Sequence, residues 1–176
     1  YQQYRQDLTY YFVVSAITRA EQVAEFAARQ RSRVWPRHAG PIETLLATVG
    51  ADALPLLLPW LDTRHQEDRP RLLALFAAFG TDDSIRALID RVDQKEGQQA
   101  LLAAGDRFPS PTLRLLAETD PRPGPVAGES RSANWSKHVE LALRVLAHAH
   151  GGSARAGLPQ PSAPGRVRME AALNPP

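Results

Sequence analysis

The 176-residue sequence contains no cysteine. That excludes disulfides, thiolate metal sites and cysteine nucleophiles, and it leaves the redox compartment open. No uninterrupted apolar run reaches the roughly 18 residues that a membrane span needs. The N-terminus shows no signal-peptide pattern. The chain begins at Tyr1 rather than Met, as expected of a fragment of a longer protein. Glycine-rich phosphate loops of the GxGxxG or Walker type are absent, as are HExxH and GxSxG. The histidines stand at 38, 65, 138, 148 and 150, none with a serine and a carboxylate patterned as a triad. Asp82 and Asp83 are adjacent, so on a helix they point about 100° apart and do not share a site. These absences leave no catalytic residues, no cofactor and no metal site to expect.

Charge is present but unevenly placed. The net charge is +2. Residues 1–40 carry six basic against three acidic side chains, residues 41–120 eight against thirteen, and residues 121–176 seven against three. The middle of the chain is therefore acidic and its flanks are basic. An acidic middle is a poor starting point for holding phosphate backbones.

The middle is organised around Leu72 to Val92. Leu72, Leu75, Phe76 and Phe79 fall at helical spacing, after Pro70 at a position where no backbone donor is needed. Gly80 is expected to end this helix in a left-handed conformation. Thr81 is expected to cap the next one, with Asp82 and Asp83 at the positive end of its dipole. Ile85, Leu88, Ile89 and Val92 make the second apolar stripe. Two amphipathic helices with so short a break form an αα-hairpin. Leu45 to Gly50 matches Leu75 to Gly80 thirty residues on, and Leu54, Leu57, Leu58 and Leu61 repeat the spacing of the second stripe. Pro55 is tolerated in a first turn, whereas Pro59 should kink or end its helix before Trp60. A third, looser unit comes next: Leu101 to Asp106, a turn at Phe108–Pro109–Ser110–Pro111, then Leu113, Leu116 and Ala117. The fold expected is all-α, a short α-solenoid of antiparallel helical hairpins.

The rest of the chain falls into distinct segments around these hairpins. Residues 1–40 form an N-terminal segment with one helix over about 16–30, and 1–14 read equally as strand or helix. Residues 41–120 hold the three hairpins. Residues 121–132, rich in Pro, Gly and Ser, are a linker or long loop. Residues 133–150 make a C-terminal helix along Trp135, Val139, Ala142, Leu143 and Leu146. Residues 151–176 lack apolar periodicity and are expected to be a disordered tail.

The paired patterns LLATVG–ADALPLLLPWLD and LFAAFG–TDDSIRALIDRVD resemble HEAT-like repeats. More narrowly they look like the helical-repeat region of large bacterial proteins that often carry a WGR domain, of the molybdate-regulator-like type. The segment GDRFPSPTLRLLAE adds to the likeness. The resemblance covers about residues 40–120, and no WGR tripeptide is present in the chain. It brings no catalytic residues to carry over. It implies a cytoplasmic scaffold or recognition segment of a multidomain protein.

Two surfaces are candidates for function. Second helices of such hairpins would present Asp62, Arg86, Asp90, Asp93 and Arg114 to a protein partner. The basic stretch at 29–38 interleaves Arg29, Arg31, Arg33 and Arg37 with Trp35, a pattern that can hold phosphates and stack on bases. The leading expectation is a non-catalytic scaffold for protein–protein interaction. The alternative is nucleic-acid binding through 29–38. No membrane partner is expected.

Overall fold

The computed structural model describes residues 12–29, 40–61, 69–119, 134–157 and 163–173, and among them there is no strand. The all-α expectation therefore holds. The chain divides into two compact units, Tyr1–His65 and Gln66–Pro176.

In the first unit, residues 12–16 are helical, so the reading left open for 1–14 is helix where the chain is described. Helix α1, Ala20–Arg29, starts later than the spacing predicts. The Gln22 side chain accepts from the amides of Thr18 at 2.9 Å and Arg19 at 3.1 Å, which satisfies donors that a helix start leaves unpaired. Helix α2, Gly40–Val49, ends at Gly50, whose φ of 63° is open to glycine at little cost. The return segment is not one helix. A 3-10 turn at Gly50–Ala53, a single α-turn α3 at Leu54–Leu57 and a second 3-10 turn at Leu58–Trp60 succeed each other. Pro55 and Pro59 each stand in a first turn, and α3 stops before Pro59 as its missing donor requires. Helix α1 packs on this irregular segment. Val14, Ile17, Val23, Ile42, Leu45, Leu54, Leu57 and Leu61 are among the residues buried.

By length and composition, Ile42–Trp60 could cross a membrane, with a mean hydropathy of 1.4. Glu43 and Asp52 interrupt its apolar residues, and the backbone breaks at Gly50.

The second unit holds six helices among its described residues. They are α4 (Arg69–Ala77), α5 (Asp82–Ile89), α6 (Lys95–Arg107), α7 (Pro109–Glu118), α8 (Trp135–Gly157) and α9 (Ala163–Leu173). Each helix packs against the next in sequence, and α4 against α6, α6 against α8, α5 against α7, and α7 against α9. The stripe Ile85, Leu88, Ile89 and Val92 is wholly buried, as its spacing predicts. Thr81 caps α5 from extended backbone, its hydroxyl oxygen accepting from the Ser84 amide at 3.3 Å.

Gly80 departs from expectation. Gly50 is the only described glycine with positive φ, so Gly80 is not a left-handed cap. Its role is close approach. A Cβ there would lie 2.6 Å from Cδ1 of Phe108, so the absent side chain lets the α4–α5 turn seat against the aromatic ring between α6 and α7.

The C-terminal boundaries also differ. Helix α8 runs past 150 to Gly157, and residues 163–173, expected to be disordered, form α9. Met169 and Ala172 are buried. Arg168 donates from Nη1 to the carbonyls of Leu116 at 3.2 Å, Ala117 at 3.0 Å and Thr119. Its Nη2 meets Glu140 of α8 at 2.8 Å. The guanidinium thus occupies carbonyl groups that the end of α7 leaves open, at the negative pole of that helix. At the other side, Trp135 is buried at the start of α8 and its indole N–H donates to the Ile89 carbonyl at 2.9 Å. The linker expected at 121–132 lies outside the described residues.

Candidate interaction surfaces

Arg114 is held inside the second unit rather than presented. Its Nη2 lies 2.6 Å from Asp82 Oδ1 and its Nη1 lies 3.4 Å from Glu118 Oε2, and only 19% of its side chain is exposed. The hydrogen bond to Asp82 raises the guanidinium pKa above its ordinary value, against an opposing effect of partial burial. Arg114 therefore ties α7 to the first turn of α5. Bonded to two carboxylates, it is a weak candidate for partner contact.

Arg86 is exposed on α5, Asp90 is exposed at its C-terminal cap, and Asp93 is half-buried in the turn after it. Spacing predicts such a surface from helical periodicity alone. Asp62 lies outside the described residues. Arg114 could not be sorted from Arg86 by spacing, because its partner Asp82 is 32 residues away in sequence.

Of the basic stretch, the structure describes Arg29 alone. It closes α1 and pairs with Glu25 at 2.6 Å, with 78% and 60% of the two side chains exposed. Such an exposed pair contributes little stability, but it partly offsets the arginine's charge. Arg31, Arg33, Trp35 and Arg37 lie outside the described residues.

A surface that the apolar stripes did not reveal lies between α4 and α6. It is a groove of about 370 Å³ whose floor is Ala74, Ala77, Ala78, Ala100 and Ala103. Alanine methyl groups cover the helix backbones without filling the space between them, so the groove stays open. Glu96 lines it in the first turn of α6 and Arg107 lines it at the last. Eleven helical steps of about 1.5 Å each separate these two charges, so they cannot act on one atom. The signal for this groove is the alanine spacing of three and four at 74, 77 and 78 and at 100 and 103. Read as apolar content it points inward, yet Ala74, Ala78 and Ala103 are exposed.

The first unit has a smaller groove of about 290 Å³, where Val13, Ala16 and Ile17 face Phe26 and Gln22 of α1. Among the described residues, no three His, Asp or Glu side chains gather in a way that could hold a metal ion. His150 meets Asp106 at 3.2 Å as an isolated pair between α8 and α6.

Fold and surfaces define an all-α protein with paired helices and open grooves. No protein-family model, no curated protein and no solved structure matches the chain.

Proposed function

We propose that residues 69–173 are a short α-solenoid of HEAT-like hairpins acting as a non-catalytic scaffold for another protein, within a larger cytoplasmic bacterial protein. The observation that carries this reading is the alanine-floored groove between α4 and α6. Small side chains over two neighbouring helices admit the larger side chains of a partner, as knobs enter holes. The packing of alternate helices, α4 on α6 on α8 and α5 on α7 on α9, supports the solenoid.

The test places a photo-crosslinking residue at Ala103 in the groove and, as control, at exposed Glu170 on α9. A protein captured from position 103 is then titrated with the chain and with Ala103→Trp, which fills the groove. The expected result is selective capture at 103 and binding weakened at least about tenfold by the tryptophan, the order of one well-packed contact. Equal capture at both positions overturns the reading. So does duplex DNA binding that falls steeply with salt and is lost when Arg31, Arg33 and Arg37 become alanine.

A further inference from the structure

Helix α8 carries a surface of a different chemistry. Its inner face is Trp135, Val139, Ala142, Leu143 and Leu146, all buried. Away from that face Leu141 and Val145 are 49% and 45% exposed. They stand one turn apart and make a single aliphatic ridge. Lys137, Arg144 and His148 run along one side of that ridge, at helical spacings of three and four from it. Lys137, Arg144 and His148 are all exposed. The one carboxylate within α8, Glu140, is engaged by Arg168 at 2.8 Å. The outward face therefore sets an aliphatic ridge beside a basic strip that no acid of its own helix offsets.

We propose that this face docks an acidic amphipathic helix of another protein. Lys137 and Arg144 are two helical turns apart, about 10 Å. That separation matches two carboxylates two turns apart on a partner helix, with leucine or isoleucine between them against Leu141 and Val145. A lipid surface fits less well. Membrane-binding helices use clusters of about four to eight Lys or Arg, or an aromatic-rich apolar face, and this face of α8 offers two fixed cations, Lys137 and Arg144, beside two aliphatic side chains. The inference rests on the scaffold reading and assigns one partner class to one helix.

The test uses the full chain and a fluorescein-labelled synthetic helix with leucines at helical spacing between glutamates. Controls are a scrambled peptide and one with lysine in place of glutamate. Anisotropy should show binding of the acidic helix with Kd on the order of 10–100 μM, as expected of one small contact with few ion pairs. Leu141→Ala with Val145→Ala should weaken it at least about fivefold, and Lys137→Glu with Arg144→Glu at least about tenfold. The charge-reversed chain should then bind the lysine peptide, an exchange that damage to the fold does not produce. All four positions are exposed, so unchanged thermal unfolding is expected alongside.

The proposal is overturned by no binding of the acidic helix, or by binding that these substitutions leave unchanged. It is also overturned by phosphatidylserine vesicles or a second copy of the chain being bound with the same substitution pattern while the acidic helix is not. Crosslinking at Ala103 reads the scaffold separately. If it persists while the acidic helix fails, only the assignment of α8 falls.

Discussion

The segment at residues 40–61 and the helix pair at 69–92 share an apolar pattern and a glycine thirty residues apart, yet they turn by different means. Gly50 turns the chain with its own backbone, at φ 63°. Gly80 does so by leaving room for Phe108 of a neighbouring turn. After Gly50 two prolines break the return segment into short turns, whereas after Gly80 a threonine cap starts the continuous helix α5. Leu45 is fully buried while its counterpart Leu75 is half-exposed. Equal apolar spacing therefore specifies which side of a helix is apolar, and the cap and the proline positions specify whether a second helix forms.

The strongest way to separate the two regions is Trp135→Ala. Trp135 fills the core of the second unit and its indole satisfies the Ile89 carbonyl at the end of α5. Losing that volume costs about 3–5 kcal/mol. Hydrogen exchange should accelerate across 82–92 and 109–118 and stay unchanged at 42–57. Equal acceleration in both would mean that the pairs share one cooperative core and are not independent turns.

Arg168→Met comes next. It removes the donor that serves the carbonyls of Leu116, Ala117 and Thr119 and leaves Glu140 without that partner. A loss of about 2–3 kcal/mol is expected from hydrogen bonds to a charged group. Urea unfolding of the full chain, monitored by far-UV circular dichroism, reads it. Arg168→Lys should recover only part, because an ammonium cannot span several carbonyls and a carboxylate with the planar fork of a guanidinium.

Arg168 also marks where sequence reading stops. The buried stripes of α5 and of α8 as far as Leu146 were legible, because large aliphatic residues recur at spacings of three and four. Helix α9 was not legible. Its buried positions are Gly165, Met169 and Ala172, of which only Met169 is large, so no stripe forms, and its anchoring comes from an arginine bonded to residues about fifty positions earlier. The α4–α6 groove was missed for a related reason: alanine serves equally as core and as open floor, and only the packing of the two helices decides which. Leu141 and Val145 stood in the same sequence as the buried stripe of α8, but exposure is a property of the neighbours and not of the spacing.

Substituting the two glycines tests the comparison directly. Gly80→Ala should cost about 1–3 kcal/mol through overpacking against Phe108. Most of that loss should vanish in a Phe108→Ala background, measured as a double-mutant cycle of urea midpoints. Gly50→Ala should cost about 1–2 kcal/mol through its backbone alone. Gly50→Asn should recover part of it, since asparagine tolerates the left-handed region, and Gly80→Asn should recover nothing. A coupling energy near zero between Gly80 and Phe108 would remove the distinction between the two turns.

The smallest effect concerns the residue after each glycine. Thr81→Ala removes the side-chain acceptor for the Ser84 amide and should cost about 1 kcal/mol. The reciprocal change, Ala51→Thr, supplies the same hydroxyl one residue after Gly50. A cap needs extended backbone, and Thr81 has it, with ψ 150°. Residue 51 instead lies inside a 3-10 turn, so its hydroxyl has no helix start to serve. Ala51→Thr should therefore stay within about 0.5 kcal/mol of the parent chain, as a surface substitution does. A gain matching the loss at Thr81 would mean that the first pair can adopt the second pair's turn. Its proline-broken return segment would then be a competing state rather than a consequence of how the chain leaves Gly50.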